Sequence, residues 1–286
     1  MDNSVTILVS SCDLYEDAWY PFFKLLKIQW PECEQYRIVL NTETKTYNPD
    51  FIKINSIVSG KKPWSARLKQ CLKQIDSDYI MFFLEDQFLQ MPVNNEWWKK
   101  ILDYMKANPD VGVIYPRHSG KQKKDIPDDY ISRHDITSTF PIVGMAALYR
   151  KNYFMKILRN HESAWEFEHF ASIRSKRYRE KVLQYNRFRP PIFVYYDELE
   201  KGYGITRKKW LPNNELLFNN YGINVDFSRL GVMSIDECQK ICAPTVKQKT
   251  GEEKSKKREA LYIIKKRIIR FPSTVRIIVR KVRSLI

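Results

Sequence analysis

One stretch, Asp78-Tyr-Ile-Met-Phe-Phe-Leu-Glu-Asp-Gln-Phe-Leu89, constrains the fold of this chain more than any other. The apolar run Tyr79 to Leu84 ends in two adjacent carboxylates, Glu85 and Asp86. An uninterrupted run of that length, rich in β-favouring residues, suits a strand buried on both faces, as in a parallel sheet covered by helices. In open α/β sheets, ligands bind beyond the carboxyl ends of the strands. Carboxylates at such an end have left the core and stand where a polar ligand or a metal ion would stand. Taken alone, the pair is also what a strand followed by a solvated acidic turn looks like.

The surrounding pattern extends this reading. Val5-Thr-Ile-Leu-Val9 is a short apolar strand that ends at Ser10-Ser11-Cys12-Asp13. Asp17 to Ile28 has helical spacing through Trp19, Phe22, Phe23 and Leu26, and Trp30-Pro31 stops it. Tyr36 to Leu40 reads as a strand ending in Asn41-Thr42-Glu43, and a third strand is expected near Phe51 to Val58. Ser65 to Ile75 is a helix with Leu68, Leu72 and Ile75 on one face. Asn94 to Asn108 is another, stopped before Pro109, and Val111 to Tyr115 is a fifth strand. The order β-α-β-β-α-β-α-β implies a mainly parallel sheet with helices on its faces. Residues 117–141 read as a long polar loop. Ile142 to Tyr149 reads as a further strand, Lys151 to Arg159 as a helix, and Ser163-Ala-Trp-Glu166 as the start of the next. Arg187 to Trp210 is aromatic and basic, with Gly202-Tyr-Gly204 as a hinge-like loop.

Composition excludes several classes. At 286 residues there is ample length for a core. The mean hydropathy of −0.49 and the lack of a long apolar run argue against a membrane-spanning helix. Met1-Asp2-Asn3-Ser4 lacks the basic region of a secretory signal, which points to a cytosolic chain. Five cysteines in no CxxC pair and four scattered histidines make neither a zinc site nor a disulfide framework. Residues 247–286 hold 14 Lys and Arg against 3 Glu, so +11 of the net +16 belongs to a tail. Nucleic-acid binding, which a pI of 9.5 suggests, is not expected of a body whose charge is ordinary.

The ordered features are a first strand ending in Ser-Cys-Asp13, Trp64-Ser-Ala-Arg67 opening a helix, and the strand end Leu84-Glu-Asp-Gln87. Trp165-Glu-Phe-Glu168 and the loop Lys201-Gly-Tyr-Gly-Ile-Thr-Arg-Lys-Lys-Trp210 follow. In that order they resemble a glycosyltransferase of the GT-A fold, in particular the bacterial sugar transferases of capsule, lipopolysaccharide and other surface glycans. The resemblance covers about residues 4–230.

The resemblance implies an α/β, Rossmann-like domain over 1–246, with a nucleotide-sugar half (about 1–115) and an acceptor half (116–246). It implies a sugar nucleotide as donor, with UDP the commonest carrier, and a glycan or lipid-linked acceptor. The strand-end motif of that family, usually Asp-x-Asp, holds a divalent metal such as Mn²⁺ or Mg²⁺ on the diphosphate. Here the match is Glu85-Asp86-Gln87, so Asp86 would be the ligand, or basic groups would stabilise the leaving group without an ion. Arg207, Lys208 and Lys209 are placed for that, as is Arg67. Ser11 and Asp13 would approach the base or ribose, Thr42 and Glu43 the base edge, and Trp64 the ribose. Asp13 reads equally as a turn aspartate, and Trp64 as a staple at a helix start.

Inverting transfer needs a base for the acceptor hydroxyl. Glu166 and Glu168 both qualify. Ser163-x-x-Glu166 is a capping-box pattern that gives Glu166 a structural reason to be there, which favours Glu168. Trp165 would stack on an acceptor sugar or sit in the core. In the tail, Leu261, Ile264, Ile268 and Phe271 form one helical stripe, and Val275, Ile278, Val279 and Val282 another, flanked by Lys and Arg. That is the pattern of a basic amphipathic helix pair lying peripherally on an anionic membrane surface. Two other classes stay open: a nucleotidyltransferase, which would want a glycine-rich phosphate loop after the first strand, and a non-catalytic scaffold.

Overall fold

The computed structural model describes residues 2–116, 122–123, 131–134, 141–186, 189, 191–195 and 204–242. The chain divides into two compact units, Met1–Ile235 and Asp236–Ile286. The expected basic tail, 247–286, lies outside the described residues, as do Gly202 and Tyr203 of the expected hinge-like loop.

The first unit begins with β1 (Val5–Ser10), a 3₁₀ segment (Asp13–Ala18) and α1 (Trp19–Gln29). It continues through β2 (Arg37–Thr42), β3 (Asn55–Val58), α2 (Trp64–Leu72), β4 (Tyr79–Leu84), α3 (Asn95–Ala107) and β5 (Val111–Tyr115). Then come β6 (Gln122–Lys123), β7 (Ile131–His134), β8 (Ala147–Arg150), α4 (Lys151–Ile157), α5 (Ala164–Ser175) and β9 (Lys181–Tyr185). A small hairpin, β10 (Ile205–Thr206) and β11 (Lys209–Trp210), and α6 (Asn213–Asn220) complete it. A last helix, α7 (Ile235–Cys242), starts at the unit boundary.

The sheet order is β3-β2-β1-β4-β8-β5-β9-β7-β6. β8 and β7 run against the other strands, so the sheet is mixed and mainly parallel. Helices cover both faces. Ile7, Val9, Met81 and Phe83 pack with Phe22, Phe23 and Leu26 of α1 and with Trp98 and Ile101 of α3. On the other face Leu8, Ile80 and Phe82 pack with Leu68 and Leu72 of α2, Phe154 of α4 and Phe167 of α5. This double cover is why β1 and β4 carry near-continuous apolar runs rather than alternation.

Three elements differ from the expectations. Residues 117–141, expected as loop, include β6 and β7, and β7 pairs antiparallel with β9. The strand β9 itself carried too short and mixed a pattern, Lys-Val-Leu-Gln-Tyr, to stand out. The strand expected over Ile142 to Tyr149 is confined to β8, because the backbone of 142–144 bonds to side chains instead of a ladder. Ile142 N donates to Ser172 Oγ at 3.0 Å, Val143 N to the Tyr115 hydroxyl at 3.0 Å, and Gly144 N to Glu168.

Candidate active site

The chain leaves β1 to build β2 and β3 on one side and returns to place β4 on the other. β1 and β4 therefore flank the point where strand order reverses, and the crevice there is the usual ligand site of such sheets. Ser10 pairs with Leu84 in register, so Ser11-Cys12 and Glu85-Asp86 leave the sheet side by side.

Arg67, in the first turns of α2, reaches this crevice. It is only 5 % exposed, and its Nη1 donates to the Ser11 carbonyl at 2.5 Å. Its Nε has no hydrogen-bond partner among the described residues. Glu85 is buried beside it. Burial and the neighbouring Asp86 charge push the Glu85 carboxyl well above its usual range, and Arg67 and the Ser11 hydroxyl pull the other way. Burial pushes Asp86 up to about 7, opposed by the Ile205 N–H, which donates to its Oδ2 at 3.3 Å. Tyr15, in the 3₁₀ segment, lies within electrostatic reach of both carboxylates; burial first, then the Cys12 side chain and these two carboxylates, raise its phenol to about 12.

Gln87 is turned inward and fully buried. Its Oε1 accepts from Leu84 N at 3.0 Å, and its Nε2 donates to the Gly144 carbonyl at 3.3 Å. The N–H of the same Gly144 donates to Glu168 Oε1. The strand-end motif and the half-buried Glu168 of α5 are thus joined through one residue. Burial raises the Glu168 carboxyl, and the Gly144 N–H partly offsets this.

The β10–β11 hairpin docks on the strand end. Gly204 N donates to the Asp86 carbonyl at 2.8 Å. A Cβ at Gly204 would lie 2.0 Å from Phe88 Cε2, so the approach requires glycine. Phe88 stacks on Trp210 at 5.9 Å and meets Phe218 of α6 edge-on at 5.0 Å. Arg207 and Lys208 form the exposed hairpin tip, with φ of 51° and 65°. Two consecutive left-handed residues are what a tight type I′ hairpin turn demands, a place where Asn-Gly is usual. Each non-glycine there is strained by about 1–2 kcal/mol, an observation that asks for a use. Lys209 follows on β11, partly exposed.

The other expected residues have definite places. Asp13 accepts from Glu43 N and Lys45 N and from both the N–H and the hydroxyl of Thr44. Burial raises its carboxyl, but these bonds outweigh that and hold it below its ordinary value. It therefore organises the turn after β2. Glu43 returns the contact, accepting from Asp13 N at 3.2 Å, and Thr42 is buried with its hydroxyl on the Lys45 carbonyl at 2.5 Å. Trp64 packs against Phe82 and Phe167, at 6.2 and 5.3 Å, as a staple between α2, β4 and α5. Glu166 forms the capping box with Ser163: its Oε2 accepts from Ser163 N at 2.9 Å, and its N–H donates to Ser163 Oγ at 3.3 Å. Ser163→Ala is expected to lower unfolding stability by about 1 kcal/mol in urea titration. Trp165 is 82 % exposed.

For a divalent ion the donor set reduces to Asp86, with Glu85 behind it, because Gln87 is committed to the fold. No group of three or more His, Cys, Asp or Glu that would hold an ion occurs among the described residues. One carboxylate together with substrate phosphates is still a sufficient protein contribution for a Mg²⁺-like ion. Sequence reasoning missed Tyr15 and Gly144. Tyr15 had no motif around it, and the part played by Gly144 depends on contacts remote in sequence.

No family model matches this sequence, and no curated protein matches it. Solved structures do. Residues 1–349 of S. aureus TarS in complex with UDP are similar with a TM-score of 0.43 and 13% identity, over 69% of this chain and 62% of that one. A cytidylyltransferase from Leptospira borgpetersenii gives 0.40 and 13%, over 62% and 74%. CMP:2-keto-3-deoxy-manno-octonic acid synthetase complexed with CTP gives 0.37 and 9%, over 64% and 88%. The chain spans 57% and 62% of the two TarS 1–349 chains it matches. The architecture, a mixed and mainly parallel sheet flanked by helices, is that of an α/β, Rossmann-like (GT-A) fold. Among the described residues no helix is long and apolar enough to cross a membrane.

Proposed function

We propose that this chain is an inverting glycosyltransferase that moves a sugar from a nucleotide-sugar, with UDP as the carrier, to a glycan or lipid-linked acceptor of a bacterial surface polysaccharide. The observation that supports it most is the hydrogen-bonded path from the strand-end motif through Gln87 and Gly144 to Glu168, which ties the acidic strand end to a carboxyl raised by burial.

In this reading the acceptor oxygen attacks the anomeric carbon from the face opposite the diphosphate. Glu168 takes the hydroxyl proton, and the bond from anomeric carbon to diphosphate oxygen breaks with its electron pair leaving on the nucleotide. Arg67 in the crevice and Arg207, Lys208 and Lys209 on the hairpin meet the charge that develops on the departing diphosphate. Exposed Trp165, three residues before Glu168 on α5, offers a face for an acceptor sugar. A Mn²⁺ or Mg²⁺ ion, where used, would be held by Asp86 and the diphosphate oxygens and would neutralise leaving-group charge. The basic tail, 247–286, would hold the enzyme peripherally at the inner face of the membrane, beside a lipid-linked acceptor, each basic group adding about 1 kcal/mol. Deleting it is expected to abolish co-sedimentation with anionic liposomes; undiminished sedimentation rejects the anchor.

Calorimetry of the full chain with UDP, GDP, CDP and dTDP, each with and without Mn²⁺, tests the donor assignment. Selective UDP binding is expected, weakened about tenfold or more when Arg207 and Lys208 are both changed to Ala. If no diphosphate binds under either condition, the donor assignment is wrong.

A further inference from the structure

We infer that Gln87 is a positioning residue that fixes the seat of Glu168, wiring the donor-side strand end to the acceptor-side helix through Gly144. The inference rests on the reading of Glu168 as the base.

The chemistry of residue 87 is specific. Its side chain accepts at one end, from Leu84 N, and donates at the other, to the Gly144 carbonyl. An amide does both; an ionised carboxylate only accepts, and at this position it would face a carbonyl oxygen. The departure from an acidic motif at residue 87 therefore has a physical reason. Gly144 is equally specific. A Cβ there would stand 2.9 Å from Glu168 Oε1, so any side chain at 144 obliges the carboxylate to shift from this position. The preceding residues are fastened too, Ile142 to Ser172 of α5 and Val143 to Tyr115 of β5. The segment 142–144 is thus a strap bonded residue by residue to its neighbours, and Gln87 is its tie to β4.

Among the described residues, Tyr115 on β5 and Tyr149 on β8 lie within electrostatic reach of Glu168, both raised primarily by burial. Both phenols stay neutral at ordinary pH, so a titration of Glu168 is not confounded by them.

The test compares the full-length wild type with Gln87→Met and Gly144→Ala, each checked for folding by circular dichroism. The Glu168 side-chain carboxyl is followed by ¹³C NMR against pH, alongside UDP calorimetry and transfer kinetics. Gln87→Met leaves Leu84 N without its acceptor; Gly144→Ala perturbs the seat without touching β4 and stands in if Gln87→Met does not fold. The expected result is a Glu168 midpoint raised in both variants, UDP affinity within about twofold of wild type, and kcat lowered about tenfold or more. An unchanged midpoint in folded variants overturns the inference, as does a defect confined to UDP affinity. The midpoint is read without turnover, so it tests the seat separately from the base. Full transfer by Glu168→Gln would instead overturn the base assignment.

Discussion

Glu168→Gln is expected to lower kcat by about 10²–10⁴-fold, the range that a positioned general base contributes, with UDP affinity close to wild type. Glutamine retains an oxygen to accept from Gly144 N but has no site for the acceptor's proton, so the seat survives and the chemistry does not. The pH dependence carries the same information. Burial holds the Glu168 carboxyl above its ordinary value. Only the ionised form acts as a base, so wild-type kcat should climb with pH through that raised pKa and then level. The residual rate of Glu168→Gln should lack this limb. Glu166→Gln should behave differently, with little loss of rate and stability close to wild type, because a glutamine oxygen still accepts from Ser163 N in the capping box. The opposite pattern would exchange the roles of the two glutamates.

Asp86→Asn should make the protein more stable at neutral pH and much less active. Asp86 is raised from 3.8 to about 7, so the folded chain binds more protons than the unfolded one between those values. Stability attributable to this residue therefore falls as pH rises through that window and is lowest above about 7. Asparagine keeps an acceptor for Ile205 N and removes the buried charge, which also relieves Glu85. The expected gain is roughly 1–3 kcal/mol at pH 8, vanishing below pH 4, in urea titrations at the two pH values. Under the proposed function, in which Asp86 faces the donor diphosphate, transfer should fall by about tenfold or more. A functional site that lowers stability is the usual trade-off. Equal stability of the two proteins at pH 8 would mean that Asp86 is solvated rather than desolvated.

Much of the architecture around β1 and β4 is legible in the sequence. The run Tyr79 to Leu84 announces a doubly covered strand, because only burial on both faces favours six consecutive apolar residues. The carboxylates after it mark the carboxyl end of β4. The Ser163-x-x-Glu166 spacing identifies the cap, because the bonds it makes are local. The hairpin tip was legible only as a basic run, since nothing in Arg-Lys signals left-handed backbone. The segment 142–144 misled: its apolar residues suit a strand, but their N–H groups are claimed by Ser172, Tyr115 and Glu168. Pairing with side chains from other elements overrides local β-propensity there.

The sequence by itself determined the order of elements through β5, the buried strands β1 and β4, and the carboxylates at the sheet edge, because these follow from local periodicity and from which residues tolerate burial. Tertiary structure alone decided how the candidates are divided. It gave Asp13, Thr42 and Glu43 to the turn after β2 and Trp64 to the helix interface. It turned Gln87 inward and joined it to Glu168 through Gly144, set Tyr15 near Glu85 and Asp86, and docked the Arg207–Lys208 hairpin on Asp86. Each of these depends on hydrogen bonds and close contacts between residues far apart in the chain, whose energies no local pattern encodes.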